Sequence, residues 1–287
     1  MGSVVQSPIT SERIPFRLAG GRNPLILVPV HVNDKGPYEF ILDTGASHCL
    51  ISRALSDLLS VRPETEEEAM GAGGSVKLSF GTVASVAVGS ARQLNVSVAV
   101  TSELERIATA IESRVDGDLG FSFLKDFSVT IDYQANTLSF TSGLALSNRT
   151  SSNWTPFDIA AQDKPLILVQ AIVNDQGPFQ FAVDTGASRT ILSAELAAKL
   201  ALETIGERPA VGGGGQVNIL AGNVKSLAVG DAIAKDHAIG VGEFLSMLSK
   251  ALQTKLDGIV GYNFLNQFRV RIDYPARILE LVPTRAH

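Results

Sequence analysis

A single cysteine, Cys49, excludes an intramolecular disulfide and any cysteine-built metal framework. Lysine and arginine form no cluster, and with a formal net charge of -5 the electrostatic footprint of a nucleic-acid or anionic-membrane binder is missing. Neither partner is expected. No apolar run is long enough to span a bilayer, and Met1 to Phe16 has polar breaks where a signal peptide carries its apolar stretch. The compartment therefore stays open: periplasmic or secreted if a leader has been removed, cytoplasmic otherwise. Histidines are few and scattered, His31, His48, His237 and His287, without the spacing of metal ligands, so no metal and no other cofactor is expected. Charge is also scarce, 18% against 45% hydrophobic residues, which suits a well-buried core; 287 residues make one large domain or two ordinary ones.

What the chain does have, it has twice. Pro24 to Val61 matches Pro165 to Leu202 at a constant offset of 141 residues, with about half the positions identical. Pro-Leu-Ile-Leu-Val recurs at 24 and 165, Val-Asn-Asp at 32 and 173, and Asp-Thr-Gly-Ala-Ser at 43 and 184. Beyond that block the register holds. Gly71-Ala72-Gly73-Gly74 falls on Gly212-Gly213-Gly214-Gly215, Asp116-Gly117 on Asp257-Gly258, and Ile131-Asp132-Tyr133 on Ile272-Asp273-Tyr274. So long a period reads as two whole lobes related by a pseudo-two-fold axis, over 12–142 and 153–287, with the Ser- and Asn-rich 143–152 as linker.

Each lobe is patterned mainly as strands. In the first copy, Leu25 to Val32, Tyr38 to Leu42, Val76 to Phe80, Val83 to Val88, Leu94 to Val100, Phe127 to Ile131 and Thr137 to Phe140 are apolar or alternating runs between turn residues. Asn33-Asp34-Lys35-Gly36 reads as a hairpin turn. Ser102 with Glu105 forms a capping box ahead of a helical stripe of Leu104, Ile107, Ala108 and Ile111, which the second copy repeats as Leu245, Leu248, Leu252 and Leu256. Shorter helices are expected from Ser52 and Ser193.

A lone Asp-Thr-Gly is a common turn, but two in matching lobes carry chemistry. Each follows an apolar strand, Phe40-Ile41-Leu42 or Phe181-Ala182-Val183, so Asp43 and Asp184 emerge at strand ends in apolar surroundings, and pseudo-symmetry brings both to the axis. Gly45 and Gly186 allow close approaches that a Cβ would block. Carboxylates about 3 Å apart repel by on the order of 5 kcal/mol at an effective dielectric near 20, or roughly 4 pH units. Such a pair shares one proton over a broad window, setting a base and an acid on either side of one water. The proton belongs to the pair rather than to either residue.

These motifs resemble a retropepsin-like aspartic protease in tandem form, and the resemblance covers both lobes almost end to end. It implies a mainly β acid-protease fold of two pseudo-symmetric, β-barrel-like lobes with a few short helices. Asp43 and Asp184 would form the catalytic dyad, Thr44 and Thr185 would cross-brace the loops, and Gly45 and Gly186 would contact the substrate backbone. The glycine hairpins Gly71, Ala72, Gly73, Gly74 and Gly212, Gly213, Gly214, Gly215 would be two flaps, where pepsin-like enzymes have one. Ala46 and Ala187 stand where pepsin-like enzymes place a hydroxyl, so the dyad is expected to titrate higher than theirs, with a mildly acidic optimum. The family's hydrophobic-hydrophobic-Gly element is matched by Ile259-Val260-Gly261, but Asp118-Leu119-Gly120 departs from it. The Asp-Gly-x-x-Gly form followed by Ile-Asp-Tyr resembles bacterial members.

Blander readings account for the remaining signals. The glycine run at 212–215 lacks a following Gly-Lys-Ser/Thr, and the dinucleotide pattern fails at Val76 and Val217, so neither is a phosphate cradle. His48 and Cys49 are strand neighbours facing opposite ways, and Cys49 reads as packing. Glu64, Glu66, Glu67 and Glu68 read as a solvated loop, with discrimination against acidic substrates as the alternative, and the sequons at Asn95, Asn148 and Asn153 carry little weight. The expected function is a monomeric aspartic endopeptidase acting on peptide or unfolded protein. The alternative is a peptide-binding or scaffolding module that keeps the fold without cleaving.

Overall fold

The computed structural model describes residues 12–142, 154–160 and 165–284. The linker expected at 143–152, the sequons at Asn148 and Asn153, and His287 lie outside the described residues. The fold is mainly β, with two similar lobes and a few short helices.

In the first lobe an eight-stranded sheet runs, in spatial order, Arg17–Ala19, Leu25–Val32, Lys35–Leu42, Gly117–Leu119, Cys49–Ser52, Ala91–Thr101, Gly74–Val88 and Thr65–Gly71. Leu25–Val32 also pairs with Gly74–Val88, His31 opposite Ala87, which curls the sheet towards a barrel. The second lobe repeats this order strand for strand, from Asp158–Ile159 to Thr204–Gly212, with the same extra pairing. Leu25–Val32 reads as a near-continuous apolar run because both faces are covered. Ile26, Val28 and Val30 enter the main core, while Leu25 and Leu27 join Ile41 and Leu104 beneath a helix.

A third, six-stranded antiparallel sheet joins the lobes. Its central pair is Phe127–Asp132 against Phe268–Asp273, with Thr130 opposite Arg271, its own counterpart at the repeat offset. The pseudo-two-fold axis passes through that pair. Tyr133 of one lobe packs edge-to-face on Tyr262 of the other at 5.5 Å, and Tyr274 on Phe121 at 5.8 Å.

Local chemistry explains the shorter elements. Ser52 and Ser193 cap the helices Arg53–Leu59 and Ala194–Lys199, each hydroxyl accepting the third amide on, from Leu55 or Leu196 at 3.1 Å. Asn33 and Asp34 take φ of 51° and 60°, a tight turn whose Asn33 side chain also accepts the Ser85 amide, and Asn174 repeats the arrangement. The expected four-residue turn is thus shorter, since Lys35 and Gly36 already belong to the strand.

Four expectations are corrected. Glu66, Glu67 and Glu68 are exposed as expected but lie on the strand Thr65–Gly71, paired with Ser79, Leu78 and Lys77, rather than in a loop. Val76 to Phe80 and Val83 to Val88 are one strand, Gly74–Val88. Gly81 is not a break; a Cβ there would lie 2.8 Å from Val61, so the glycine serves a close approach rather than a turn. The Ser102 capping box is not formed, because Ser102 lacks extended cap geometry (ψ 0°) and Thr101 supplies the acceptor for the Glu103 amide instead. Leu256 packs with Leu245, Leu248 and Leu252 but lies beyond the helix Phe244–Leu252, which ends at a left-handed Gln253.

Candidate active site

Strands Lys35–Leu42 and Gln176–Val183 deliver Asp43 and Asp184 at the centre of the molecule. Each runs parallel to the short strand of the Asp-Gly segment, with Leu42 beside Leu119 and Val183 beside Val260. The Asp43 amide donates to Leu119 O at 3.3 Å and the Asp184 amide to Val260 O at 3.0 Å, which ties both loops to the strand beneath.

The two loops are locked to one another. Thr44 N donates to Thr185 Oγ1 and Thr185 N to Thr44 Oγ1, both at 3.0 Å. The hydroxyls then donate across the axis, Thr44 to Val183 O at 2.8 Å and Thr185 to Leu42 O at 2.7 Å. Both threonines are buried, so all four bonds are shielded from competing water.

Gly45 and Gly186 abut the opposing carboxyls. A Cβ on Gly45 would lie 2.7 Å from the Asp184 carboxyl carbon, and one on Gly186 would lie 2.5 Å from that of Asp43. The absence of a side chain is what lets the acids approach. Asp43 Oδ1 accepts the amides of Gly45 at 2.7 Å and Ala46 at 3.2 Å; Asp184 Oδ1 accepts those of Gly186 at 2.8 Å and Ala187 at 3.2 Å. The carboxyls of Asp43 and Asp184 come within hydrogen-bonding reach of one another, a contact that becomes a bond when one of them carries a proton. Burial, then the charge of Asp43 and this bond, push Asp184 well above the usual carboxylate range, against the pull of the Gly186 and Ala187 amides.

A third acid reaches the same point. Asp118, only 3% exposed, is in hydrogen-bond contact with Asp43, and its Oδ1 has no partner. Burial first, then the charge of Asp43, push it well above its ordinary value. The backbone of its strand is unaltered from the second copy, where Ile259 holds the same register against Ala182. Replacing Ile by Asp therefore changes the site's chemistry and leaves the supporting loop in place. In the sequence the mismatch with Ile259 is the signal that marks Asp118.

The two glycine hairpins meet at their tips. Gly71 and Gly74 close the first around Ala72-Gly73, Gly212 and Gly215 the second around Gly213-Gly214, and Gly73 N donates to Gly213 O at 2.7 Å. The contact is not symmetric. Gly214 N donates to Glu103 Oε2 at 3.0 Å, and Glu103 is paired in turn with Arg106, where the second lobe has Phe244 and Met247. No motif marked Glu103 beforehand.

Elsewhere, His48 stacks edge-on against Phe80 at 4.9 Å, and burial pushes the Cys49 thiol up, so the neighbours make no nucleophilic pair. Among the described residues no group of three or more His, Cys, Asp or Glu side chains is placed to hold a metal ion.

A family model described as aspartyl protease matches the chain twice, over residues 28–123 and 169–264. Comparison with curated protein sequences finds no match.

Proposed function

Since the chain belongs to the aspartyl protease family, we propose that it is an endopeptidase whose paired carboxyls, Asp43 and Asp184, activate one water for attack on a peptide carbonyl. The observation that carries this reading is the close approach of two half-buried carboxyls from matching loops, each offered two backbone amides and each touching the other loop's glycine. One carboxylate takes the water's proton while the other, protonated, hydrogen-bonds the carbonyl oxygen, and a proton then passes to the leaving nitrogen. Thr44 and Thr185 hold the acids in register, so little reorganisation is needed as charge moves.

An extended peptide would lie between the lobes beneath the two glycine hairpins, pairing its backbone with their strands as an added β-strand. Such an arrangement selects for unfolded substrate and requires no cofactor. Because one shared proton is needed, activity should peak in mildly acidic solution. It falls as the pair gains a second proton and again as it loses the first.

The test is cleavage of an unstructured protein by the parent chain and by Asp43→Asn and Asp184→Asn. Each substitution should lower kcat/KM by about a thousandfold or more while circular dichroism stays unchanged. Parent-like turnover in either variant would remove the shared-water mechanism. If the parent binds peptide but does not cleave it, the fold serves as a peptide-binding module.

A further inference from the structure

Asp118 has no counterpart in the second lobe, and the dyad mechanism as described leaves it idle. The groups around it decide what it does. Ile41 and Leu50 flank it on the neighbouring strands, and the titratable groups facing it are Asp43 at the end of Lys35–Leu42, Cys49 on Cys49–Ser52, and Asp184 from the other lobe. No cation faces it. Its carboxyl lies within hydrogen-bonding reach of Asp43, and its Oδ1 is buried without a hydrogen-bond partner. Asp43 and Asp184, by contrast, each receive two backbone amides. Of the three acids, Asp118 has the least to compensate a negative charge.

We propose that Asp118 is a positioning residue of the proposed dyad: its carboxyl stays protonated and donates a hydrogen bond to Asp43, which makes Asp43 the base and leaves Asp184 as the acid. This rests on the protease reading above. Three carboxyls then hold two protons and one charge. That charge sits on Asp43, which accepts from Asp118 and Asp184 as well as from the Gly45 and Ala46 amides. In a symmetric dyad the two aspartates are interchangeable before substrate binds; here a substitution on one side of the axis distinguishes them. Burial of the unionised form also explains how a carboxyl is tolerated at a position where the other lobe has isoleucine.

The test is the pH dependence of kcat/KM in Asp118→Ile and Asp118→Asn. Isoleucine, the second lobe's own residue, removes the donor, so the charged dyad is less favoured and the acid limb moves up by about one to two pH units. Asparagine retains an N–H donor and keeps the acid limb within a few tenths of the parent's. A downward move in both variants would show that Asp118 is ionised and repels the dyad; an unmoved limb in the isoleucine variant would make it a bystander. Either result overturns the proposal. Preference for Lys or Arg beside the scissile bond that vanishes in Asp118→Asn does so too, by making the group an ionised specificity determinant.

Carbon NMR of the parent gives a reading that needs neither the isoleucine variant nor turnover. The Asp118 carboxyl resonance, assigned by its absence from Asp118→Asn, should remain that of a protonated acid well above the pH at which a free aspartate ionises. An ionised signal in mildly acidic solution overturns the inference. If Asp43→Asn and Asp184→Asn keep parental turnover while this signal is protonated, the protease mechanism fails and the buried neutral carboxyl stands.

Discussion

At position 237 the second lobe buries a histidine where the first has Val96, and at 190 a threonine where the first has Cys49. His237 Nε2 lies 3.3 Å from Thr190 Oγ1 and the ring packs edge-on against Phe264. Burial lowers its titration point from 6.5 to about 4. The stability it contributes is therefore complete above pH 6.5 and is lost as pH falls towards 4. Asp118 and Asp184 act in the opposite sense. Their folded values lie above 3.8, so their contribution is complete below that pH and is lost as pH rises through the folded values. His237→Val is expected to narrow the drop in Tm on acidification from pH 6.5 towards 4, while Asp184→Asn should raise Tm near neutrality. Thermal melts across pH check both; an acid drop undiminished in His237→Val would place the sensor elsewhere.

Among the elements, the hairpins and the helices behind them break the lobes' symmetry. Helix Glu103–Ala110 sends Glu103 to the tip of the opposite lobe's hairpin, while Phe244–Leu252 has no acid at the matching position. A bond from an amide to a carboxylate is worth about 1.5 to 3 kcal/mol, enough to bias a glycine-rich tip towards one position. Glu103→Ala should accelerate hydrogen exchange at the Gly214 amide by about tenfold or more. The helix itself should stay folded, because Leu104, Ile107, Ala108 and Ile111 remain packed against Leu25, Leu27 and Ile41. Unchanged exchange at Gly214 would show that the hairpin is held by the tip-to-tip bond of Gly73 and Gly213 alone.

For the whole molecule, two devices besides the hairpin tips join the lobes: the six-stranded sheet centred on Thr130 and Arg271, and the four threonine bonds between the loops. The sheet is stabilised largely by backbone pairing and apolar packing, whereas each threonine hydroxyl both donates and accepts in a dry interface. Thr44→Val keeps the volume but strands the Thr185 amide and the Val183 carbonyl, for a loss of about 2 to 5 kcal/mol. Thr185→Val should cost a similar amount, and the double variant less than the sum because the two hydroxyls serve one network. Urea denaturation measures all three; a loss below about 0.5 kcal/mol in either single variant would mean that water replaces the missing hydroxyl.

Much of this arrangement was legible in the amino-acid order alone. The constant offset between copies revealed two lobes and an axis, and apolar runs ending at Asp43 and Asp184 showed where the acids emerge. Ser52 and Ser193 announced their caps because those bonds form within three residues, and Asn33 and Asn174 announced their turns because a left-handed backbone is a local preference. Local rules misled where a neighbour from elsewhere supplied the better partner, as at Ser102, or where close packing rather than a turn required glycine, as at Gly81. Contacts across the axis could be decided only by the tertiary structure. That Glu103 receives Gly214 and that Tyr133 packs on Tyr262 depend on how two similar halves dock, whereas the approach of Asp118 to Asp43 depends on the pairing of two distant strands within one half. A repeated sequence specifies what the halves share; what distinguishes them acts through space, between residues that no local pattern connects.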